Sequence, residues 1–356
     1  MSAVTVVMVI FSMLGAADRM LGNRFGLGKE FEKGFLLFGN MALSMIGMIV
    51  ISPLIAELLR PAFDWVWNVM RLDPSIIPAS LFANDMGGAP LAVEVAKDAQ
   101  IGMYNALVTS AMMGCTVSFV IPYALSAVEP RQHRELLLGL LCGIVTIPAG
   151  CFASGLLLRL PMGALLRNLL PLTIFSGIIA TGLMLFPNAC VRVFSAFGVF
   201  IKVLITVGLA LSILKFLTGI ELISGLETLE EGAAVCLNAS AVMTGAFPLM
   251  FFVSKVLAMP IKRVGSSVGI NETSAMGMVA TLASSIPTFE MMKDMDRKGV
   301  MLNSAFIVSA CGAFAGHLAF TMAFNAEYLP AVILGKLTAA FLALLVAQVM
   351  HKRIYK

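Results

Sequence analysis

Two short clusters carry groups that could handle a small polar solute, and both lie inside otherwise apolar stretches. The first is Ala83-Asn84-Asp85-Met86-Gly87-Gly88, framed by Pro78 and Pro90. Asp85 is an acceptor with no basic residue near it in sequence, so an ammonium group would neutralise it and donate up to three hydrogen bonds. Gly87 and Gly88 would let backbone approach a ligand closely. The plainer alternative is a turn aspartate at headgroup level, capping a short helix. The second cluster runs from Gly269-Ile270-Asn271-Glu272-Thr273-Ser274 to Ala283-Ser284-Ser285-Ile286-Pro287. Glu272 could pair with a cation or hold a proton, while Asn271, Thr273, Ser284 and Ser285 could serve a hydroxyl. Alternatively, Asn271 and Thr273 cap a helix with Glu272 in its first turn. Secondary candidates are Asn40 and Asn238, read as buried amides that either join helices or touch substrate. His317 is a lone intramembrane histidine, a packing residue or a proton relay.

The elements that must position these groups follow from composition. The chain has 356 residues, 59% hydrophobic and 12% charged, with mean hydropathy +0.95. Soluble domains carry about 25% charged residues, so a soluble enzyme is excluded. A formal charge of +4, with its basic residues scattered between apolar runs, excludes a nucleic-acid partner. The expectation is an all-α polytopic membrane protein. HExxH, GxSxG and GxxxxGK[ST] are all absent, so zinc-protease, serine-elbow and ATP-motor chemistry lack their residues. No catalytic residue, metal site or cofactor is expected. The six cysteines show no CxxC spacing and read as small packing residues.

Apolar runs fall at 3–17, 35–59, 101–128, 135–158, 165–186, 190–218, 233–258, 299–324 and 329–350, giving about nine spans. No basic region precedes the first, so it reads as a retained span rather than a cleaved signal. Two further runs, 73–95 and 265–291, hold the polar clusters together with helix-breaking proline and glycine. Such backbone survives at membrane depth only when buried in protein or lining a cavity. Both therefore read as re-entrant hairpins or broken helices. With both re-entering, the N-terminus lies outside, the C-terminus lies in the cytoplasm, and sixteen basic residues face inward against six outward.

The two odd runs are about 198 residues apart, and so are their neighbours. Asn40, Met45, Gly47 and Leu59 match Asn238, Met243, Gly245 and Leu257 at that offset, and Ala106, Ser110 and Ala111 match Ala305, Ser309 and Ala310 at 199. The expected organisation is an inverted repeat, with 1–160 and 190–356 as the two units and 161–189 as the linking span.

Several strings resemble one family. Leu81-Phe82-Ala83-Asn84-Asp85-Met86-Gly87-Gly88 is similar to its CDMGG segment, and Gly277-Met278-Val279-Ala280-Thr281-Leu282-Ala283-Ser284-Ser285-Ile286-Pro287 to its GMVATLANNIP segment. Gly143-Ile144-Val145-Thr146-Ile147-Pro148, Glu129-Pro130-Arg131 and Met291-Met292-Lys293-Asp294-Met295-Asp296 match as well. The resemblance is to the bacterial ethanolamine utilisation permeases, EutH, from Ala16 to the Gly335-Lys336-Leu337 stretch. Asn84 stands in place of a cysteine, and Ser284-Ser285 in place of paired asparagines. The resemblance implies inner-membrane uptake of ethanolamine for ammonia-lyase chemistry in a microcompartment, with membrane lipid as surroundings and a homo-oligomer compatible with the sequence. The substrate is a primary ammonium at neutral pH, by analogy with lysine at ~10.4. Its entry would gain about 2.3 kcal/mol per 100 mV, so ion coupling is not required. Asp85 is the preferred ammonium acceptor and Glu272 the second. The alternatives are transport of another small amine or nucleoside-like solute, and a membrane enzyme acting on lipid head groups.

Overall fold

The computed structural model describes residues 3–355, with side chains throughout except at residues 3, 40, 191 and 257–267. Asn40 thus lies outside the described side chains. Among the described residues the regular structure is entirely helical. Seven stretches among the described residues are long and apolar enough to cross a membrane: Leu27–Leu58, Ala99–Ala127, Pro130–Leu157, Met162–Leu185, Pro187–Thr218, Leu229–Val256 and Gly316–Ile354.

The first of these is α2 (Leu27–Leu58), preceded by α1 (Ala3–Met20) and followed by the short α3 (Arg60–Met70). The run 73–95 is a hairpin of α4 (Ile76–Leu81) and α5 (Gly88–Val95), broken at Phe82 and Ala83, both of which are extended. Its two ends are tied together. One Asp73 carboxylate oxygen accepts the N–H groups of Lys97 and Asp98 at 3.0 and 2.9 Å. The other accepts the Ser75 N–H and hydroxyl at 3.0 and 2.6 Å. A segment whose start and finish share one carboxylate enters and leaves on the same side.

The chain then rises through α6 (Ala99–Tyr104), a π-helical stretch over Asn105–Gly114 and Thr116–Val120, and α7 (Ile121–Ala127). This span is 83% buried, against 22% for Pro187–Thr218, so it forms the centre of the molecule while the latter faces lipid. Around it stand α8 (His133–Ile144), α9 (Ile147–Leu157), α10 (Met162–Leu185), α11 (Pro187–Thr218) and α12 (Leu229–Val268). The exposed faces of α10 and α11 carry Leu166, Leu170, Ile174, Val199 and Val203, as lipid contact requires.

The second odd run repeats the device. Helices α13 (Glu272–Ala283) and α14 (Ser285–Met291) meet at an extended Ser284. The Thr288 hydroxyl on α14 donates to the carbonyl of Gly277 on α13 at 2.9 Å, so α14 folds back along α13. Asn271 donates from its backbone N–H to Asp296 and from its amide to the Asp294 carbonyl, both at 2.9 Å, closing the mouth. The following span is interrupted: α15 (Arg297–Ala310) and α16 (Gly316–Asn325) flank a non-helical Cys311–Ala315. The last helix, α17 (Leu329–Ile354), packs along α9 and α15.

The halves also share their internal ties. Asn105 donates to the Ser75 hydroxyl, and Asn303 to the Ser274 carbonyl, each at 2.8 Å. In both halves a buried amide on the span after the hairpin holds the hairpin's first turn.

Candidate functional site

The tip of the first hairpin exposes backbone groups that a helix would have satisfied, and the π-helical span supplies their partners. Ser110 donates to the Phe82 carbonyl at 2.7 Å, and the Ala83 N–H donates to the Ser118 hydroxyl at 3.1 Å. Buried backbone groups need such partners in a membrane. The tip of the second hairpin is held by the broken span: Gly312 and Phe314 donate their N–H groups to the carbonyls of Thr281 and Leu282 at 3.0 and 2.9 Å.

With the tips fixed, the polar side chains on them sort clearly. Asn84 is 0% exposed, and neither its amide nitrogen nor its oxygen has a hydrogen-bond partner among the described residues. A buried amide without partners costs about 1–3 kcal/mol, so its place at the hairpin tip calls for a physical reason. Asp85, beside it, is surrounded by protein yet keeps part of its own surface accessible. Gly87 and Gly88 both stand close against protein. Gly87 has φ +91° and lies against Met48, while a Cβ on Gly88 would fall 2.3 Å from both the Phe82 carbonyl oxygen and the Ser110 hydroxyl. They let protein pack on protein, closing the hairpin tip.

The residue that completes this region comes from α17. Lys336 is 0% exposed. Its ammonium donates to the Ala111 carbonyl at 2.7 Å and to Nδ1 of His317 at 2.8 Å. An ammonium has only donors, so the ring nitrogen of His317 accepts and the imidazole is neutral. Lys336 lies within electrostatic reach of Asp85 without touching it, and also of Cys115, Cys311 and Cys151. Cys311 in turn donates to the hydroxyl of Ser285 on the second hairpin tip at 3.3 Å, and the free thiol of Cys115 lies near it. Asp85, Lys336, His317, Cys115, Cys311 and Ser285 thus share one region between the two hairpin tips, in which the Lys336–His317 and Cys311–Ser285 contacts are direct. Ser309, two residues before Cys311, adds a buried hydroxyl without a partner among the described residues.

The remaining sequence candidates fall elsewhere. Asn271 is exposed at the mouth of the second hairpin, and its side-chain oxygen caps α13 by accepting from the Ser274 N–H at 2.8 Å. Glu272 is exposed and Thr273 half-buried beside it. Twelve helical residues, roughly 18 Å, separate this mouth from the tip. Asn271 thus caps α13, and Glu272 and Thr273 stand at the mouth of the hairpin rather than at its tip. Ser284 is half-buried and caps α14 by accepting the Ile286 N–H at 3.4 Å. Asn238, expected as a buried amide, is exposed on α12. Lys336 is the residue that sequence reasoning missed, although a lysine inside an apolar helix was there to be read.

The sequence resembles known proteins over nearly its whole length. The family model "Ethanolamine utilisation protein, EutH" matches residues 1–350. A "Probable ethanolamine permease EutH" from Listeria monocytogenes is 38% identical, covering 98% of this chain and 94% of that protein. Its namesake from Salmonella typhimurium is 37% identical, over 97% and 94% of the two chains. The "Uncharacterized protein YxeR" of Bacillus subtilis is 36% identical, over 96% and 92%. No solved structure matches. With a match that runs nearly end to end, the chain belongs to the EutH family of ethanolamine utilisation proteins.

Proposed function

We propose that this chain is a permease rather than an enzyme, and that it carries ethanolamine as its ammonium cation inward across the bacterial inner membrane. The printed names of the Listeria and Salmonella relatives support the solute. The observation that carries the reading is the first hairpin tip. There an accessible carboxylate, Asp85, accepts no hydrogen bond from another described side chain, beside an amide, Asn84, with no partner among the described residues. A primary ammonium and a hydroxyl are the groups those two side chains can receive. Ser285 and Ser309 offer further hydroxyls from the other half.

The two hairpins read as an inverted repeat. Five candidate spans lie between the mouth at Asp98 and the mouth at Asn271, an odd number that puts the mouths on opposite sides. Their tips then meet near the middle, where secondary transporters keep their sites. The second mouth also sits with the basic end of the molecule. The Gln132 amide donates to the Met292 carbonyl at 2.6 Å, and the Tyr355 hydroxyl to Glu135 at 2.7 Å. These contacts gather Arg131, Arg134, Lys293, Arg297, Lys298, Lys352 and Arg353 on one side. The positive-inside rule makes that side cytoplasmic, with the C-terminus inside.

The test is uptake of radiolabelled ethanolamine into liposomes holding the purified protein at pH 6, where little neutral amine leaks through lipid. Wild type should show saturable uptake. Asp85→Asn should raise the half-saturation concentration on the order of 100-fold, the cost of about 3 kcal/mol for losing a buried charge partner. Fluxes equal to those of empty liposomes would reject ethanolamine as the solute.

A further inference from the structure

Lys336 is left without a task by the binding of a cation at Asp85, and its placement argues that it has one. Its side chain points from the inner face of α17, is fully buried, and both named partners of its ammonium are neutral: the Ala111 carbonyl and His317 Nδ1. The groups within electrostatic reach are Asp85 from the first hairpin, Cys115 from the π-helical span, Cys311 from the break in the other half, and Cys151 from α9. Asp85 is the one carboxylate in that set. With no substrate bound, Asp85 and Lys336 cancel. Adding an ethanolammonium would leave one uncompensated positive charge in a water-poor interior, which is costly. A lysine can relieve that by giving up a proton, as an arginine could not.

We propose that Lys336 is the resident cation of the site, and that binding of ethanolammonium at Asp85 is coupled to release of one proton from Lys336, so that the carrier exchanges substrate cation for proton without moving net charge. This rests on the reading of Asp85 as the ammonium acceptor. In the outward-open site one N–H bond of Lys336 breaks, the electron pair stays on Nζ, and the proton leaves to the outer solution. His317 Nδ1, 2.8 Å away, is the base placed to take it first. In the inward-open site a proton from the inner solution restores the Lys336 ammonium and ethanolammonium departs. One cation enters and one proton exits, so charge and mass balance. The electrical driving force that the charge of the substrate alone would suggest is then not used.

Two measurements on the wild-type protein test this separately from the permease reading. The first is calorimetric binding of ethanolamine hydrochloride at pH 6 in two buffers of different ionisation enthalpy. One proton should appear per ethanolamine bound; binding with none released overturns the coupling. The second is liposome uptake with a pH dye in the lumen. The lumen should alkalinise beyond the drift of empty liposomes, and an inside-negative potential should leave accumulation unchanged. Uniport would instead give roughly fifty-fold accumulation at about 100 mV with no alkalinisation, which rejects exchange while keeping the permease. Absence of both binding and uptake rejects the permease reading itself. Lys336→Met should abolish proton release and make uptake follow the potential, whereas Lys336→Arg should bind ethanolammonium poorly. Proton release that persists in Lys336→Met would assign the proton to a thiol and overturn the role of Lys336.

Discussion

At the scale of single residues, Asn84 separates stability from function. Its amide is fully buried and meets no partner among the described residues, so the folded protein bears its desolvation without a hydrogen bond in return. Asn84→Leu keeps the shape and removes the unsatisfied groups. The variant should melt at or above the wild-type temperature while its half-saturation concentration for ethanolamine rises roughly 10-fold, about 1.4 kcal/mol. A thermal melt and a concentration series on the same preparation check both. A variant that melts earlier and transports normally would make Asn84 a packing residue. Asn84 and Asp85 were legible in sequence because polar groups between prolines stand out in an apolar run. Lys336 stood out only as a lysine in an apolar helix, because what it answers to is a carbonyl 225 residues away in a widened helix and a histidine 19 residues before it. Only the fold brings them together. For Asn271 and Glu272, the same residue types that suggest a binding site also cap helices, and sequence alone does not say which end of a hairpin they occupy.

At the scale of elements, each hairpin is defined by how its mouth and its tip are held. Asp73 serves the mouth of the first, receiving three backbone N–H groups and one hydroxyl. Asp73→Ala would leave those donors without their acceptor and should cost about 3 kcal/mol or more. At the tip, Gly88→Ala would drive a methyl group to 2.3 Å from the Phe82 carbonyl oxygen, so it should lose both the thermal transition and uptake. Gly163→Ala, whose added carbon meets nothing within 4 Å at the start of α10, should stabilise by a few tenths of a kcal/mol to about 1. Thermal unfolding in detergent ranks the three. An Asp73→Ala protein that melts with wild type would remove the staple from the explanation of the hairpin. The breaks at Phe82-Ala83 and Ser284 were legible from glycine, proline and polar spacing. The π-helical geometry of 105–120 was not, since its residues are ordinary apolar and small ones and the widening comes from packing against α4 and α5.

At the scale of the whole molecule, what matters is whether the two mouths open to opposite sides. The odd number of candidate spans between them fits the proposed inverted repeat, as do the like ties of Ser75 with Asn105 and Ser274 with Asn303. Lys97 beside the first mouth and Lys293 beside the second are both exposed, so a cysteine at either would meet a reagent dissolved on its side. The native cysteines give little background, because Cys115, Cys142, Cys151, Cys236 and Cys311 are buried and only Cys190 is half-buried. In a Cys190→Ser background, Lys97→Cys should react with a membrane-impermeant maleimide added to intact cells. Lys293→Cys should react only after the cells are opened. Labelling of both from outside would mean that an even number of crossings separates the mouths, and the halves would then be parallel rather than inverted. The alternating exposure of one central site would lose its structural basis, because tips entering from one side leave Asp85 and Ser285 without a second aqueous route. Labelling from opposite sides would instead place Asp85, Lys336 and Ser285 between two solutions, which is the arrangement that exchange of a cation for a proton requires.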